Sequence, residues 1–550
     1  MRKPIPSVWR ISRYSVDVAE RIRELEAEPL PASTAALLDE AAAEVPDQLA
    51  WQFIDTGETA TYRQVQSMVN RLASGLSGLG VRKGTHVAVM VSNRPQFPVS
   101  WLALGRLGAV MVPVNISYTG RELDYILQDS QAQYLVIADE FLPVLDAMKA
   151  RPAVLSDARI IVVGESRPGF ENWQRLLDSG DEAFVAPDPP GLDDLMNIQY
   201  TSGTTGFPKG VLQAHRYWLT QGKGNAFRDG LRFERILIST PFYYMDPQWL
   251  LLVSLYQRAT AFVAARQSTS RYTEWLRRYR IHFSLMPAEV MFKNPPAVDD
   301  CDNETRKVNV YGLRKEIHAQ VEARFNVNAR EAFGMTELGT ATIMPLDAVD
   351  MIGSGSCGQT GPFRQCRVVD TEGKDVPRGE IGEMVVRGSG ILLGYFNKPE
   401  ATREAFFGDW FRTGDLFRQD ERGYFYIVGR IKEMIRRSSE NIPAREVEAV
   451  LKDMPEIVEA AVLGVPDDIR KEEVKAYVIL QPGLTPSEVP PEAIIEHARR
   501  FLAAFKVPRY IEYRSEFPRT PSNKIRKPEL VKEKSDLRLG SWDRVDGVWR

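Results

Sequence analysis

The sequence is poor in the residues that build disulfide frameworks and metal clusters. It holds three cysteines and five histidines among 550 residues, too few and too scattered for a disulfide framework or a zinc site. The formal net charge is only −3, which excludes a large basic surface for nucleic acid. These shortages are typical of a globular protein from a reducing compartment, and we expect a cytoplasmic location.

Long hydrophobic runs are absent as well. No apolar stretch approaches the ~20 residues that a membrane helix needs, and Arg106 interrupts the stretch 101–114. The chain begins Met1-Arg2-Lys3-Pro4 and continues without an apolar segment, so we expect no signal peptide. A chain of this length exceeds one hydrophobic core, and two or more domains are expected.

Helical and strand patterns alternate between about residues 35 and 265. Residues 62–79 have the periodicity of an amphipathic helix, and residues 96–107 also have a helical pattern. Residues 86–91 and 110–114 are apolar runs that favour buried strands. This alternation predicts an α/β fold with parallel strands.

The pattern changes in the second half of the chain. Short strands with Gly and Pro turns predict a β-rich subdomain over about 359–425, and a small α+β domain follows Arg430. We therefore expect a large N-terminal domain of parallel-type α/β layers over 1–430 and a small mobile α+β domain over 431–550. The tail 537–550 fits no pattern.

The segment 201–210 is the most informative stretch of the chain. It combines four hydroxyls, three glycines and one lysine, which suits a polyphosphate because phosphate oxygens only accept hydrogen bonds. Apolar residues on both sides predict that it connects two strands. It is not a P-loop, because Gly210 and not Ser or Thr follows Lys209. The alternative, a flexible linker, fits poorly with the ordered turn chemistry of Pro208-Lys209-Gly210.

Four further motifs follow in order. The run 332–337 (Ala-Phe-Gly-Met-Thr-Glu) places a carboxylate after a Gly-containing turn, and 410–415 (Trp-Phe-Arg-Thr-Gly-Asp) places another beside small and polar residues. The run 424–432 ends a strand with cations, and 521–527 is a second lysine-bearing turn.

Together these motifs resemble those of the adenylate-forming superfamily, which includes acyl-CoA synthetases, luciferases and peptide-synthetase adenylation domains. The resemblance covers about residues 35–530, and within the superfamily the chain is most similar to bacterial carnitine/crotonobetaine-type and medium-chain acyl-CoA ligases. It implies an active site between a large and a small mobile domain. It also implies two half-reactions: attack of a carboxylate on ATP to give acyl-adenylate and pyrophosphate, then displacement of AMP by a thiol.

The resemblance also implies a role for individual residues. It assigns nucleotide binding to Thr201, Ser202, Gly203, Thr204, Thr205, Gly206, Lys209, Phe333, Gly334, Thr336, Asp415 and Arg430. It assigns catalysis to Lys524, Thr336 and Glu337, and Mg²⁺ binding to Glu337 and Thr204. It assigns the hinge to Lys432, the thiolation loop to Ser438, Ser439 and Glu440, and the acyl pocket to Tyr243, Tyr244 and Gly334.

Each charged candidate also has a simpler interpretation. Glu337 fits a helix N-terminus, where the dipole favours a carboxylate, and Asp415 fits a turn cap in Thr-Gly-Asp. Lys524 fits a solvated surface lysine in the basic cluster that continues to Lys527.

The sequence departs from the superfamily pattern at several of these positions. Asn523 stands where Gly usually precedes the catalytic lysine, and Asn tolerates the left-handed conformation better than other non-Gly residues. Ser438-Ser439 replaces a Gly-Gly pair, which makes thioester formation less certain than adenylation. Phe333 stands in place of Tyr, and Tyr244 in place of His.

The segment 241–249 is rich in aromatic residues and contains Asp246. It predicts either an aromatic wall for an apolar acyl chain or, from Phe242, Tyr243, Tyr244, Asp246 and Trp249, a cage for a quaternary ammonium.

We therefore expect a cytoplasmic acyl-CoA ligase that uses ATP, Mg²⁺ and coenzyme A. Its partners are a small-molecule carboxylic acid and these cofactors, without nucleic acid or a membrane span, and a homodimer is compatible with the resemblance. One rival is an adenylating enzyme that passes its acyl group to a carrier protein or an amine. Another is a non-catalytic relative that only binds acyl groups or nucleotide.

Overall fold

The computed structural model describes residues 6–201, 208–287, 290, 294–437, 440–502, 504–520 and 523–550. The helices are α1 Val18–Ala27, α2 Thr34–Glu44, α3 Tyr62–Gly78, α4 Gln96–Leu107, α5 Gly120–Asp129, α6 Leu142–Asp146, α7 Trp173–Ser179, α8 His215–Phe227, α9 Met245–Gln257, α10 Tyr272–Arg278, α11 His318–Phe325, α12 Pro399–Glu404, α13 Ala444–Lys452, α14 Pro491–Phe501 and α15 Lys527–Lys532.

The strands are β1 Leu49–Phe53, β2 Thr59–Thr61, β3 His86–Met90, β4 Val110–Pro113, β5 Tyr134–Ala138, β6 Ile160–Val163, β7 Glu171–Asn172, β8 Leu195–Tyr200, β9 Gly210–Ala214, β10 Arg235–Ile238, β11 Thr260–Val263, β12 Phe283–Leu285, β13 Lys307–Val310, β14 Ala329–Met335, β15 Gly339–Ile343, β16 Gln359–Thr360, β17 Gln365–Val369, β18 Ile381–Arg387, β19 Gly394–Tyr395, β20 Phe406–Phe407, β21 Trp410–Gln419, β22 Phe425–Arg430, β23 Met434–Arg437, β24 Glu440–Pro443, β25 Ile457–Asp467, β26 Lys471–Leu480, β27 Tyr510–Tyr513, β28 Trp542–Asp543 and β29 Val548–Trp549.

The chain divides into two compact units. Of the described residues, the first unit contains those within 6–201, 209–366 and 386–409, and the second contains 208 and those within 367–385 and 410–550. Residues 410–430, which the sequence analysis assigned to the N-terminal domain, therefore belong to the same compact unit as the C-terminal residues.

Two large sheets form the first unit. One has the order β19-β9-β8-β4-β3-β5-β6-β7 and the other β16-β15-β14-β13-β12-β10-β11-β1-β2. Most neighbouring strands are parallel, including β3 with β4 and β5, and β10 with β11 and β12. One hydrophobic core draws side chains from both sheets and from α3, α4, α8 and α9. The predicted α/β class with parallel strands is confirmed.

Local signals explain the helix boundaries that the sequence predicts. In α3, Val65, Val69, Leu72 and Leu76 recur on one face and are all buried. The Thr61 side chain accepts a hydrogen bond from the N–H of Gln64, and the Gln64 side chain accepts one from the N–H of Thr61, a capping box that starts the helix. Among the described residues, no helix is both long and apolar enough to cross a bilayer.

The second unit contains a β-rich part and an α+β part. Strands β17, β18, β21 and β22 form one sheet, as the density of Gly and Pro turns predicts. In the other sheet, β26 pairs with β25 and β27, and α13 and α14 pack on it through a separate core. The tail, for which the sequence gives no pattern, forms a hairpin of β28 and β29 that extends this sheet beyond β27.

Candidate active site

The base of the predicted phosphate loop is an antiparallel strand pair. Strands β8 and β9 lie on either side of the loop, which confirms that it connects two strands. The backbone N–H of Thr201 donates to the carbonyl of Lys209 at 3.1 Å and closes the base. The predicted phosphate ligands Ser202, Gly203, Thr204, Thr205 and Gly206 lie outside the described residues.

Lys209 and Glu337 both contact one tyrosine that the sequence analysis did not identify. The Lys209 ammonium lies 4.9 Å from the centre of the Tyr395 ring, a cation–π contact. The Tyr395 hydroxyl donates a hydrogen bond to Glu337 Oε1 at 3.0 Å. Burial, together with the charge of Glu337, raises the pKa of the Tyr395 phenol well above its usual value, so this donor stays protonated. The predicted phosphate-binding lysine and metal-binding carboxylate are therefore linked through one side chain.

Glu337 lies in the turn between β14 and β15 and not at a helix N-terminus, so that simpler interpretation is wrong. Polar groups from α8 and β9 hold the turn: Gln213 Nε2 and the Tyr217 hydroxyl donate to the Thr336 carbonyl at 2.8 and 2.9 Å. The backbone N–H of Leu392 donates to the Glu337 carbonyl at 2.8 Å. The backbone from which the Glu337 side chain extends is thus fixed on several sides.

Arg364 holds the next carbonyl of the same turn. Its guanidinium is buried and donates to the carbonyls of Leu338, Ser389 and Gly390. Burial lowers the pKa of Arg364 to about 10, still far above neutral pH. Because Arg364 also donates to the Phe363 carbonyl, this one charged side chain satisfies four buried carbonyls where three chain segments meet.

Two glycines allow this turn to form. Gly339 has φ of 69°, and a Cβ there would lie 2.0 Å from the carboxamide carbon of Gln221. The Gln221 side chain accepts from the N–H of Thr340 at 2.8 Å and donates to the carbonyl of Leu338 at 3.3 Å. At Gly334, a Cβ would lie 2.5 Å from the carbonyl oxygen of Gly339. Any side chain at either position would displace the segment that carries Glu337.

Phe333 and Gly334, both predicted to bind the nucleotide and Gly334 also predicted to line the acyl pocket, lie on β14 just before this turn. Phe333 is opposite Thr342 of β15, and the register shifts between Phe333 and Gly334. The irregularity leads directly into the turn that carries Thr336 and Glu337. Phe333, Gly334, Thr336 and Glu337 therefore follow one another closely along one hairpin.

The predicted acyl-pocket residues Tyr243 and Tyr244 pack against each other at the start of α9. Their ring centroids are 4.6 Å apart and tilted by 59°, and Asn115 Nδ2 donates to the Tyr244 hydroxyl at 3.4 Å. Phe242 and Trp249 are fully buried in the core. The Trp249 indole N–H donates to Asp246. The described contacts therefore place three members of the predicted aromatic cage, Phe242, Tyr243 and Trp249, in the core and give its acid an indole partner.

Buried carboxamides fix the backbone of this aromatic segment. Gln248 Nε2 donates to the carbonyls of Phe242 and Tyr244 at 2.9 and 3.1 Å, and Gln199 Nε2 donates to the carbonyl of Tyr243 at 2.8 Å. Three consecutive carbonyls are thereby satisfied by two buried side chains. Gln199 lies on β8, so the strand that leads into the phosphate loop also supports the aromatic segment.

The second unit contains the other predicted nucleotide-binding carboxylate. Asp415 lies within β21, opposite Arg430 of β22, and Arg430 Nε donates to Asp415 Oδ1 at 2.9 Å. Asp415 is 5% exposed. Burial raises the pKa of the Asp415 carboxyl, and Arg430 opposes that rise. The turn-cap interpretation is wrong, since Asp415 lies in a strand and its carboxylate has a cross-strand cation.

Lys524 lies on the exposed turn near the C-terminus. The backbone N–H of Thr520 donates to the carbonyl of Lys524 at 2.8 Å, and the Thr520 hydroxyl accepts from the Lys524 N–H at 3.1 Å. Asn523 has φ of 62°, the left-handed conformation in which Asn is expected to replace Gly. The turn therefore forms without the usual glycine.

Two ion pairs flank the backbone of the predicted hinge residue Lys432. On one side Arg430 is bound to Asp415, and on the other Lys527 Nζ lies 3.0 Å from a carboxylate oxygen of Glu433. The side chains of Lys432 and Glu440, and the whole of Ser438 and Ser439, lie outside the described residues.

A metal at Glu337 would need ligands from its substrate. Among the residues that the structure describes, no group of three or more His, Cys, Asp or Glu side chains is placed to hold a metal ion. Mg²⁺ fits such a site, because it prefers hard oxygen ligands and is commonly held by one or two carboxylates with substrate phosphates. The single buried carboxylate of Glu337 is a donor of this kind.

Comparison with known proteins places this geometry in a family. The model of the AMP-binding enzyme family matches residues 38–396, and that of the AMP-binding enzyme C-terminal domain matches 446–524. A crotonobetaine/carnitine–CoA ligase of Proteus mirabilis is 31% identical over 489 residues, which cover 86% of this chain and 92% of that protein. A crotonobetaine/carnitine–CoA ligase of Escherichia coli is 31% identical over 486 residues, with the same coverage.

Solved structures agree. The anthranilate CoA ligase AuaEII in complex with anthranoyl-AMP superposes with a TM-score of 0.81 at 26% identity, over 92% of this chain and 98% of that one. ATP-bound MatB from Rhodopseudomonas palustris also superposes with a TM-score of 0.81 at 26% identity, over 90% of this chain and 98% of that one.

The chain belongs to the AMP-binding enzyme family. It is an ATP-dependent ligase that adenylates a carboxylic acid and transfers the acyl group to coenzyme A, with ATP, coenzyme A and Mg²⁺ as its cofactors. The predicted family, enzyme class and cofactors are confirmed.

The sequence analysis missed the side chains that position the predicted residues. In the first unit the structure brings Lys209 and Glu337 together through Tyr395, and in the second it brings Asp415 and Arg430 together. The missed residues are Tyr395, Gln213, Tyr217, Gln221 and Arg364. These residues make their contacts through tertiary structure, which a local sequence pattern does not reveal.

Proposed function

We propose that the turn carrying Thr336 and Glu337 and the loop ending at Lys209 form the phosphate and metal part of an adenylation site. The observation that carries this proposal is the contact of Tyr395 with both Lys209 and Glu337. A cation for phosphate oxygens and a carboxylate for Mg²⁺ are then held on one scaffold. When bound, Mg²⁺ would neutralise phosphate charge and orient the leaving pyrophosphate.

The other nucleotide contacts follow from the chemistry of each side chain. Phe333 offers an apolar face to adenine beside Gly334, and Thr336 offers a hydroxyl to the α-phosphate. Asp415, with Arg430 beside it, accepts hydrogen bonds from the two ribose hydroxyls. The loop residues Thr201, Ser202, Gly203, Thr204, Thr205 and Gly206 complete the phosphate contacts, with Thr204 near the metal.

Lys524 supplies the charge stabilisation of the first half-reaction. A substrate carboxylate oxygen forms a bond to the α-phosphorus of ATP as the bond to the pyrophosphate oxygen breaks. Negative charge develops on the oxygens around phosphorus, and an ammonium between the two reactants stabilises it. In the second half-reaction, the sulfur of coenzyme A attacks the acyl carbon and AMP leaves.

We propose that the chain bends at Lys432, at the boundary between domains 1–430 and 431–550. The pairs Asp415–Arg430 and Glu433–Lys527 restrain the residues on either side, which concentrates backbone freedom in the short segment between them. Rotation there would withdraw Lys524 from the active site and bring in the thiolation loop of Ser438, Ser439 and Glu440 in its place.

We propose that the substrate is a carboxylic acid whose acyl group packs against Tyr243 and Tyr244. A second candidate class is a betaine acid, because ring faces attract quaternary ammonium groups and relatives that are 31% identical are named crotonobetaine/carnitine–CoA ligases. We further propose a cytoplasmic enzyme; a homodimer stays a prediction that sedimentation would test.

Replacement of Lys524 tests the proposed mechanism. In Lys524→Ala, acid-dependent pyrophosphate exchange should fall by about 10²–10³, the usual cost of losing one charge-stabilising group, while ATP binding persists. Lys532→Ala, a nearby exposed lysine on α15, is the matched control. Unchanged exchange in Lys524→Ala would reject the assignment.

Competition among acids tests the pocket and the acceptor. Carnitine, crotonobetaine, octanoate and benzoate would be supplied together with coenzyme A, and AMP and thioester would be followed separately. Thioester from octanoate or benzoate with no activity on the betaines ends the betaine hypothesis. AMP without thioester would favour a carrier protein or an amine as the acceptor.

A further inference from the structure

The Tyr395 side chain contacts two side chains of opposite charge, Lys209 and Glu337. Its face receives the Lys209 ammonium at 4.9 Å, and its hydroxyl donates to Glu337 Oε1 at 3.0 Å. The neutral Tyr395 side chain therefore contacts both a cation and an anion, which would otherwise attract each other directly.

The backbone of Tyr395 is anchored to the same two segments. Tyr395 is opposite Val211 in the pairing of β19 with β9, and the next N–H, that of Phe396, donates to the Gly210 carbonyl at 2.8 Å. Earlier in the same segment, the N–H of Leu392 donates to the Glu337 carbonyl. The segment 392–396 thus joins the end of the phosphate loop to the turn that carries the carboxylate.

We propose that Tyr395 is a positioning residue that keeps the Glu337 carboxylate available for a divalent cation and prevents Lys209 from pairing with it. This inference rests on the proposed metal role of Glu337. A carboxylate has about four acceptor sites, and the Tyr395 phenol occupies one of them and orients the group. This donor is uncharged, so it does not itself cancel the negative charge that attracts a cation.

A second consequence concerns the lysine. An ammonium held over a ring keeps its full charge and its three N–H donors. An ammonium in an ion pair with Glu337 would compete with both the metal and the phosphates. By keeping Lys209 and Glu337 apart, Tyr395 therefore favours both metal binding and phosphate binding.

The test measures Mg²⁺-dependent ATP binding by calorimetry, without acid or coenzyme A, so that no turnover occurs. Tyr395→Phe retains the ring and removes the hydroxyl. The Mg²⁺ concentration at half-saturation should rise about tenfold, within the 10–100-fold usual for groups that orient a metal ligand. Tyr395→Leu also removes the ring, and we expect a larger rise because Lys209 can then reach the carboxylate.

The chain offers a matched control in Tyr426. Its hydroxyl also donates to a carboxylate at 3.0 Å, that of Asp420, and a cation, Arg418, also lies over its ring. Tyr426→Phe should leave the Mg²⁺ midpoint unchanged, and thermal unfolding of all variants monitors folding. An unchanged Mg²⁺ midpoint in both folded Tyr395 variants would overturn the inference. If the wild-type protein binds ATP without any dependence on Mg²⁺, the metal role of Glu337 itself fails.

Discussion

Glu337 in the first unit and Asp415 in the second are two buried carboxylates whose described side-chain donors differ in charge. Glu337 is 7% exposed and accepts from the Tyr395 hydroxyl at 3.0 Å, whereas Asp415 is 5% exposed and accepts from Arg430 at 2.9 Å. Distance and burial are nearly the same. The difference is that one donor is neutral and the other is a cation.

This difference suits the ligand that each carboxylate is proposed to bind. A buried carboxylate with a neutral donor keeps a net negative charge, which costs free energy in the empty site and favours a cation. A carboxylate paired with a guanidinium is neutral as a unit and can accept hydrogen bonds from uncharged hydroxyls. The charge of the described donor thus distinguishes the proposed metal ligand, Glu337, from the proposed ribose ligand, Asp415.

The largest effect is expected when Glu337 loses its charge. Glu337→Gln retains the shape and the acceptor for Tyr395, but an amide attracts Mg²⁺ far less. Acid-dependent pyrophosphate exchange should fall by about 10²–10³, and the Mg²⁺ midpoint should rise beyond that of either Tyr395 variant. If Glu337→Gln retained near-wild-type pyrophosphate exchange, the proposed difference in role between Glu337 and Asp415 would be wrong.

Asp415→Asn should have a smaller effect of a different kind. Loss of hydrogen bonds to a charged acceptor costs about 1.5–3 kcal/mol, so the Kd for ATP should rise roughly 10–100-fold. The Mg²⁺ midpoint should stay the same, because this carboxylate does not serve the metal. A shifted Mg²⁺ midpoint in Asp415→Asn would contradict the comparison.

The pH dependence of nucleotide binding separates the two carboxylates further. Burial raises the pKa of Asp415 above its ordinary 3.8, against the effect of Arg430. ATP affinity that depends on the ionised carboxylate should therefore fall on acidification, starting above the usual range of an Asp, and Asp415→Asn should lack this component. Stability changes in the opposite direction: the folded protein binds more protons in the interval just above 3.8, so the contribution of Asp415 to stability falls as pH rises through it.

The smallest effect is expected at the acyl segment. Gln248→Met removes the donor to the carbonyls of Phe242 and Tyr244, and we expect a severalfold higher KM for the acid with an unchanged Kd for ATP. Gln257→Met is a matched control on the same helix, since Gln257 Nε2 donates to two carbonyls, of Ala226 and Leu231. Both variants lose stability of about 1–3 kcal/mol from unsatisfied carbonyls. Equal effects on the KM would mean that Gln248 has only a structural role.

Sequence patterns predicted the strongly periodic elements closely. The helix predicted over 96–107 has those bounds in the structure, whereas the helix predicted over 62–79 ends at Gly78 and the strand predicted over 110–114 ends at Pro113. The tail hairpin of β28 and β29 escaped prediction because its strands have two residues each. Asp543 of this hairpin is held by Arg509 and Arg550, and such pairing across the fold has no short-range signature.

The sequence by itself determined the kind of chemistry: hydroxyls, glycines and a lysine for phosphates, two carboxylates in polar motifs, and a second lysine near the C-terminus. Tertiary structure decided the partner of each carboxylate. Asp415 and Arg430 are 15 residues apart and face each other across one hairpin. Glu337 and Tyr395 are 58 residues apart and meet because β19 adds to the edge of β9. A residue's type is local information, but its charge environment depends on which strands pair.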